Sequence, residues 1–569
     1  GRGWGFYFQM LDAGDDRKSV IISDLGVCAP RRALSDVRKR GRWKVLPYET
    51  PGFKGRCIQA LTYTGAPEVA LPLNARGWHA VYLGLGGGIG DDDAGRNVVR
   101  VRLSGDAAFQ HRSARGSGTE EVLFKCADLT GQSLLFAQQT AGYPRAACVY
   151  YVRLLPLTAG EVRDLKADDR RRETRRLIGT IDGFSFLYER MATTKPELLE
   201  EFEPFRHTDF GTIWWGICGA DQVNYRSRLG TIVGEHTDDC PRAGDGYYTR
   251  AAQALIRKGI AITKVAVEAC HDMGIEIHVS MRPAAWKGPA PFEDYFTSDF
   301  YDAHPEWRCR DRDGTEAPRM SFAVPEVRQH LLGVFREVLA ARPDGLNMLY
   351  NRGMPLILWE DAFCERFRDV YGGDARKASE DDPRLYALRG EFMTQWMREV
   401  RQLLDRFQRE RRLKKRLKLS AMCLETEADN RMYGLDVARW VREGLLDQIG
   451  IYRGSAHTSS KPIDLAWFRR IAAGAGVPVH PGMVAWALPK TEDVLRQAVE
   501  WYGGGADGLL VWAPSTKVTD GVMWPIMARL GHEAEVRGRA AAAPPAPASF
   551  HVRAVGTVPA SRWTAWAGF

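Results

Sequence analysis

The cysteines of this chain lack the spacing that a metal site would need. There are 10 among the 569 residues, at positions 28, 57, 126, 148, 218, 240, 270, 309, 364 and 423. None of them forms a Cys-x-x-Cys pair or a Cys/His set with ligand spacing. Zinc sites use closely spaced ligands of these types, so we expect no metal, and the scatter defines no disulfide framework.

Long hydrophobic runs are missing as well. A membrane-spanning helix needs about 18 or more consecutive apolar residues, and no stretch of the sequence provides them. A secretory signal peptide is not recognisable, although the chain opens at Gly1 as a trimmed or mature form would. We therefore expect no membrane span, and the location of the protein has to be inferred from its function.

The excess of positive charge is small. The formal net charge is +8, and the densest basic run, residues 409–418, ends a predicted helix, where cations complement the helix dipole. No nucleic-acid-reading motif accompanies it, so we expect no nucleic-acid partner. Hydrophobic residues make up 45% and charged residues 26%, as in ordinary soluble proteins, and the length predicts two or three domains.

What the chain has is a phrase repeated between residues 181 and 513. Eight times, a few apolar, mostly β-prone residues precede a polar or aromatic cluster, with room for a helix before the next. The eight are IDGFSFLYER, GTIWWGICGAD, IEIHVSMRPAAW, GLNMLYNRG, LKLSAMCLETEADN, DQIGIYRG, VPVHPGMVAW and GLLVWAP. Strands that alternate with helices predict an α/β fold with a parallel sheet. Eight such units close into a (β/α)8, or TIM, barrel whose catalytic groups follow the strands.

The flanking residues predict further units. Residues 1–157 contain short alternating runs between Gly, Asp and Asn turns, which are typical of an all-β sandwich or jelly roll. Residues 158–176 read as a charged, partly helical linker and 177–532 as the barrel, while 533–569 hold an Ala/Pro tract and a short segment. We expect that last segment to add a strand to the β-domain or to dock on the barrel.

Three aspartates, Asp182, Asp344 and Asp507, are each followed by glycine and then by an apolar run. Asp-Gly is favourable turn chemistry between a helix and a strand, because glycine readily takes a positive φ. We therefore expect all three aspartates at the amino-terminal ends of barrel strands, away from the chemistry.

The segment DGLNMLYNRGMPLILWEDAFCERFRDVYGGD resembles uncharacterised glycosyl-hydrolase-like (β/α)8 proteins, often called family-10-like glycosylhydrolases. That grouping has a DG-strand-R element, an aromatic–Glu pair and a helix with F-x-x-x-Y-G. Here these are Asp344-Gly345, Arg352, Trp359-Glu360, and Phe367 with Tyr371-Gly372. A second match is GLDVARWVREGLLDQIG, after the fifth strand. The resemblance covers residues 175 to 515 and implies a glycoside hydrolase with an accessory β-domain.

The chain also departs from the best understood retaining barrels. In those enzymes the fourth strand ends in an Asn-Glu pair and the seventh in a nucleophilic glutamate. Here the fourth ends in Asn351-Arg352, and the seventh runs from His480 to Trp486 with no carboxylate. The familiar catalytic pair therefore does not transfer to this sequence.

Glycoside hydrolysis generally uses one protonated and one ionised carboxyl group. We predict Glu360 as the acid, because its apolar surroundings in ILWED would raise its pKa. Glu425 ends the apolar strand LKLSAMCLE and is predicted as nucleophile or base. The alternatives are a helix N-terminal acid at Glu360, and at Glu425 a structural ion pair with Arg352 or Arg453.

Residues at other strand ends are predicted to bind the sugar. They are Glu189, Asp221, Arg282, Trp286, Tyr350, Asn351, Arg352, Trp359, Tyr452, Arg453, Trp486 and Trp512. Carboxylates hydrogen-bond to hydroxyls, and flat indoles can lie against sugar rings. Glu189 is equally suited to a salt bridge and Asp221 to capping a loop. The arginines would clamp a carboxylate of the substrate or of the protein.

Two hypotheses of different classes follow. The first is a glycoside hydrolase that cleaves a poly- or oligosaccharide without a cofactor, in a secreted, periplasmic or cell-surface location. The second is a non-catalytic carbohydrate-binding protein on a degenerate barrel, favoured by the missing fourth- and seventh-strand acids. Lyases or isomerases on this fold remain a third class, because a fold does not fix a function. The sequence leaves the sugar, the linkage and the oligomeric state undefined.

Overall fold

The computed structural model describes residues 18–86, 97–114, 118–352, 354–452, 462–483, 490–517, 523–542, 549–556 and 558–559. Its first unit consists of two largely antiparallel sheets that share one apolar core, which confirms the predicted β-sandwich domain. The strands are β1 Val20–Ile22, β2 Leu34–Ser35, β3 Trp43–Glu49, β4 Lys54–Ala60, β5 Val69–Pro72, β6 Trp78–Gly86, β7 Val98–Leu103, β8 Gln110–Ser113, β9 Thr119–Asp128, β10 Ser133–Gln138 and β11 Ala147–Pro156. The larger sheet runs β3-β4-β11-β6-β9, with β1 on β11 and β2 on β3, and the smaller runs β5-β10-β7-β8.

A helix, α1 (Ala159–Asp168), leads from the sandwich to the barrel. Thr158 and Glu161 form a capping box at its amino-terminal end, each side chain accepting a hydrogen bond from the other residue's backbone amide. This satisfies two backbone amides that the helix itself leaves without partners.

Eight parallel strands then close into a barrel, which confirms the predicted (β/α)8 fold. Each strand pairs with the next along the chain, and the eighth pairs back with the first. The barrel strands are β12 Leu177–Ile181, β13 Phe210–Gly216, β16 Glu276–Met281, β19 Gly345–Leu349, β20 Lys418–Cys423, β21 Gln448–Ile451, β22 Val479–Met483 and β23 Leu509–Trp512. Two short pairs lie in the connecting loops, β14 Gln222–Val223 with β15 Thr231–Ile232, and β17 Arg308–Arg310 with β18 Glu316–Met320.

Helices connect the barrel strands. They are α2 Ser185–Arg190, α3 Lys195–Leu199, α4 Ala243–Arg257, α5 Ile262–Asp272, α6 Asp299–Ala303, α7 Pro325–Leu339, α8 Asp361–Tyr371, α9 Pro383–Glu410, α10 Glu427–Met432, α11 Val437–Arg442, α12 Leu465–Ala472, α13 Thr491–Gly503, α14 Pro514–Lys517, α15 Met523–Met527 and α16 Glu533–Ala541. Single 3₁₀ turns occur at Leu25–Val27, Arg31–Ala33, Glu203–Phe205, Pro305–Trp307 and Ala375–Lys377. None of the helices in the described ranges is both long and apolar enough to cross a membrane.

The first barrel strand differs from the prediction. It spans Leu177–Ile181, whereas the phrase IDGFSFLYER supplies only its last residue and then forms α2. Asp182 causes the change of direction, because one carboxylate oxygen accepts hydrogen bonds from the amides of Phe184 and Ser185 at the start of α2. Asp182 therefore lies after its strand, at the carboxyl end of the barrel, and the prediction that it precedes the strand is wrong.

The other two Asp-Gly pairs are where the sequence predicted them. Asp344 directly precedes β19, and Asp507 lies two residues before β23. Their carboxylates accept hydrogen bonds from backbone amides of the neighbouring strands, at Ile277 for Asp344 and at Val479 for Asp507. Both aspartates thus fix strand ends on the far side of the barrel from the expected chemistry.

After the barrel the chain returns to the sandwich. β24 (Ala554–Val555) pairs antiparallel with β3, and β25 (Val558–Pro559) extends the same sheet. Val552 and Val555 are buried against this sheet, and the ring of Phe550 contacts those of Tyr150 and Tyr151. The segment after the Ala/Pro tract therefore adds strands to the β-domain, one of the two arrangements expected from the sequence.

A buried histidine joins three elements at the amino-terminal end of the barrel. His532 lies 2.7 Å from the carboxylates of both Asp168, which ends α1, and Asp209, which precedes β13. Burial on its own would lower the pKa of His532, but the two carboxylates outweigh it and raise the pKa to about 9. His532 is therefore a cation held between two acids at neutral pH.

Candidate functional site

A cleft opens at the carboxyl ends of the barrel strands, where barrel enzymes carry their chemistry. The cavity at its base is small, about 10 Å³. It is lined by residues in or just after β12, β13, β16, β19 and β23, namely Thr180, Ile181, Asp182, Trp214, Gly216, Cys218, Ser280, Arg282, Leu349 and Trp512. We call these residues, together with Arg352 and Tyr452, the barrel mouth.

The indole of Trp512 is the centre of the barrel mouth. The guanidinium carbon of Arg352 lies 5.1 Å from the ring centroid, and that of Arg282 lies 6.0 Å from it. The Tyr452 ring packs against the same indole, with centroids 5.0 Å apart. Cations within about 6 Å of an indole face are attracted to it. The aromatic pair therefore holds both arginines over the mouth.

Asp182 supplies the carboxylate of the barrel mouth. Its second oxygen accepts a hydrogen bond from the Ser185 hydroxyl at 2.7 Å and lies 3.5 Å from the Arg282 guanidinium. Burial alone would raise the pKa of Asp182, but Arg282 and the hydrogen bonds from Ser185 and Phe184 outweigh it and hold the pKa below its usual value. Asp182 is therefore ionised at neutral pH.

Arg352 has no such partner in the part of the chain that the structure describes. Among the described residues, no carboxylate lies within ion-pairing distance of its guanidinium, and its buried Nε makes no hydrogen bond. Burial, together with the nearby Arg282, lowers the pKa of Arg352 to about 10. The barrel mouth thus holds two cations and one anion within the described residues.

Four of the predicted binding residues meet in this mouth, Arg282, Arg352, Tyr452 and Trp512. Asp182 was missed, because the first strand was assigned four residues too late. The signal was present in the run LIGTI at residues 177–181, a fully buried strand that ends directly at the aspartate.

Glu360 lies outside the residues that line the mouth. It occupies the N-cap position of α8 without making a capping hydrogen bond, and only 3% of it is exposed. Its carboxylate accepts hydrogen bonds from the Ser321 hydroxyl and from the Leu358 amide, the latter at 3.0 Å. Burial raises the pKa of Glu360, and these hydrogen bonds offset the rise only in part. The raised pKa favours the protonated form, which a general acid needs.

Glu425 follows β20 by two residues, at the carboxyl end of the barrel, and is buried. Its backbone carbonyl accepts the Asp464 amide at 3.0 Å, which ties the fifth strand end to the segment before α12. Glu425 and Glu360 therefore belong to different loops, after the fifth and the fourth strand.

Glu189 joins the barrel to the sandwich. It lies in α2, and its carboxylate is 3.1 Å from the Arg145 guanidinium of the β-domain. Its backbone carbonyl accepts hydrogen bonds from the Tyr143 amide and the Gln139 side chain, at 3.0 and 3.1 Å. Of the two roles left open for Glu189, the structure contains a salt bridge, formed with the other domain.

Asp221 and Trp286 form a buried group beside α7. Asp221 accepts hydrogen bonds from the Ser298 hydroxyl at 2.8 Å and is 2.9 Å from His330 Nε2. Trp286 is fully buried, and its indole N–H donates to the Pro283 carbonyl at 2.9 Å. Neither side chain presents a surface to the barrel mouth, and both stabilise the loops after the second and third strands.

The residues after the fourth strand are enclosed. Tyr350 and Asn351 are each 1% exposed, and the Tyr350 hydroxyl is 3.1 Å from the sulfur of Met397. Trp359 is contacted by the guanidinium carbons of Arg312 and Arg389, at 4.6 and 5.0 Å from its ring centroid. The remaining two predicted binding residues, Arg453 and Trp486, lie outside the described residues.

A second cavity, of about 190 Å³, lies at the opposite end of the barrel, between the sandwich, α1 and the strand starts. Several of its charged side chains pair with one another or with neighbours. Arg206 contacts Asp272 at 2.9 Å, and Arg529 contacts both Asp168 and Glu535.

Comparisons with known proteins give similarity only among solved structures. No family model matches the chain, and no curated protein matches it. A noncanonic maltogenic alpha-amylase from Thermotoga neapolitana is 13% identical, with TM-score 0.32, over 60% of this chain and 67% of that one. The xylanase 10B modules of Clostridium thermocellum, complexed with xylohexaose, are 12% identical, with TM-score 0.31, over 85% and 93%.

A third solved structure is the C-terminal domain of a putative chitinase from Desulfitobacterium hafniense. It is 11% identical, with TM-score 0.34, and the match covers 63% of this chain and 99% of that one. Similarity this low carries no argument about the activity of this chain, whose fold is established by its own strand pairing.

Proposed function

We propose that the chain is a glycoside hydrolase that binds a poly- or oligosaccharide at the barrel mouth. The observation that carries the proposal is the mouth itself, an indole platform flanked by an ionised carboxylate and two guanidiniums at the carboxyl end of a (β/α)8 barrel. Trp512, of which 5% is exposed, would contact an apolar face of the sugar, while Asp182, Arg282 and Arg352 would hydrogen-bond to its polar substituents. Tyr452 is fully buried and packs against the Trp512 indole.

The proposed acid and nucleophile or base are Glu360 and Glu425. The raised pKa of Glu360 supports the first role, because a general acid has to hold its proton near the working pH. The position of Glu425 just after the fifth strand supports the second. If Glu360 donates the proton, activity falls as the pH rises through its raised pKa. Asp182, with its lowered pKa, stays ionised over that range.

The test measures new reducing ends after incubation with a broad panel of poly- and oligosaccharides. Glu360→Gln and Glu425→Gln are each expected to lose activity by about 100-fold or more, the usual effect of removing general acid–base catalysis. Matched controls are Asp361→Asn, at a side chain that is 84% exposed, and Glu427→Gln, at one 44% exposed; both are expected to keep wild-type activity. A Glu360→Gln enzyme as active as the wild type would remove Glu360 from the mechanism.

A second candidate is a carbohydrate-binding protein without hydrolytic activity. Its specific support is that two carboxylates are already engaged by the protein itself, Asp182 by Ser185 and Arg282, and Glu360 by Ser321 and Leu358. Binding to a glycan by the wild type with no release of reducing ends would favour this candidate. For either function we propose a location outside the cytoplasm, where polysaccharides are met, and fractionation of the source cells tests it.

A further inference from the structure

Among the described residues, the barrel mouth has hydrogen-bond donors without acceptors. Arg352 makes no ion pair with these residues and its buried Nε makes no hydrogen bond, and the buried indole N–H of Trp214, which also lines the mouth, has no hydrogen-bond partner among them. Leaving a buried donor without an acceptor is unfavourable, and more so when the donor is charged. The mouth therefore has the donors for an acceptor that the described side chains do not provide.

Asp182 does not supply that acceptor. One of its oxygens accepts the Phe184 and Ser185 amides, at 3.0 and 2.8 Å. The other accepts the Ser185 hydroxyl and faces Arg282. With both oxygens engaged, a single carboxylate leaves one of the two guanidiniums unneutralised. The mouth consequently has a net positive charge among the described residues.

The stacking on Trp512 also orients the arginines. A guanidinium that lies over an indole directs its N–H groups outward in the guanidinium plane. In this geometry two N–H groups can donate paired hydrogen bonds to a carboxylate or sulfate. A neutral hydroxyl would satisfy one donor at a time and would leave the charge uncompensated. A planar or tetrahedral anion satisfies several donors at once.

We propose that Arg282 and Arg352 bind an anionic substituent, so that the substrate class is an acidic glycan carrying carboxylate or sulfate groups. This inference rests on the proposed function for the glycan but not for the cleavage. Trp512 would then contact the ring that carries the anionic group.

Binding is measured by calorimetry with three probes, a galacturonic acid trimer, a sulfated galactan oligosaccharide and a neutral galactose oligosaccharide of the same length. The wild type is expected to bind at least one acidic probe about tenfold or more tightly than the neutral one, and added salt is expected to narrow this difference. The acidic probe that binds identifies carboxylate or sulfate. Equal binding of all three, or no binding of either acidic probe, would overturn the inference.

Arg352→Gln removes the cation that has no partner among the described residues. It is expected to weaken binding of the acidic probe about tenfold and to change binding of the neutral probe less than about twofold. Arg352→Lys keeps the charge but loses the planar guanidinium, so an intermediate loss of affinity for the acidic probe is expected. The control is Lys166→Gln, which removes one cation near the Trp78 ring of the sandwich, far from the mouth. Equal losses for acidic and neutral probes in Arg352→Gln would contradict the proposal, and Arg352→Lys provides the test if the glutamine variant does not fold.

The two proposals fail in distinguishable ways. Selective binding of an acidic probe without release of reducing ends would leave the inference standing and remove the hydrolase. Cleavage of a neutral glycan with no preference for acidic probes would support the hydrolase and overturn the inference about the anionic substituent.

Discussion

The cation at His532 makes the stability of the protein depend on pH in a defined window. Its folded pKa is raised from 6.5 to about 9, so folding stabilises the protonated form. The contribution is fully present below pH 6.5 and is lost as the pH rises through about 9. Since each unit of difference between the folded and unfolded pKa is worth about 1.4 kcal/mol, His532 contributes at most about 3 kcal/mol to the free energy of unfolding. For a barrel of this size that corresponds to about 5 °C in the midpoint of thermal unfolding.

The assay compares thermal unfolding of the wild type and of His532→Gln between pH 6 and pH 9.5. The wild type is expected to lose about 5 °C relative to the variant across this window, because glutamine has no proton to release. Asp168, with its pKa lowered to about 2, stays ionised across this window. Burial raises the pKa of Asp209, but this carboxyl is present in both proteins. Parallel curves for the two proteins would show that His532 is not a cation in the folded state.

Further predictions concern the mouth and the domain contact. Asp182→Asn removes the one carboxylate of the mouth and is expected to tighten binding of an acidic oligosaccharide several-fold in calorimetry; unchanged or weaker binding would contradict the charge count. Trp512→Phe is expected to weaken the binding of all glycans, because a smaller ring holds the two arginines less well. Titrating each glycan while following tryptophan fluorescence measures this affinity. A double-mutant cycle of Arg145→Ala and Glu189→Gln is expected to give a coupling of about 0.5–1 kcal/mol in unfolding experiments; no coupling would show that this ion pair does not fasten the sandwich.

The barrel could be predicted because its strands carry a local signal. Each is an apolar run buried on every residue or nearly so, and each is followed by polar or aromatic residues. The exception was the first strand, where the apolar residues Phe184, Phe186 and Leu187 of α2 continue the run beyond the true strand end. Side-chain hydrogen bonds of Asp182 decide that boundary, and a hydrophobic pattern does not record them.

The site was predictable only where strand order dictates position. Arg282 and Arg352 follow two different strands and Trp512 ends a third, and a closed barrel brings such residues to one mouth. The partner of Glu189 lies 44 residues earlier in another domain, and no local pattern links the two. The enclosure of Trp286 and Asp221 likewise results from loop packing around His330, which spacing along the chain does not reveal.

Because β24 pairs with β3, the sandwich is discontinuous along the chain, whereas the barrel is formed by one continuous segment. The sandwich is built from segments on both sides of the barrel in the sequence, so the barrel is inserted into the sandwich as a loop is inserted between two strands. The barrel sequence could therefore be excised and its flanking ends rejoined without disturbing the order of the sandwich strands. Cutting the chain once after α16, in contrast, removes β24 and uncovers the edge of β3, leaving a sheet that can pair with another chain.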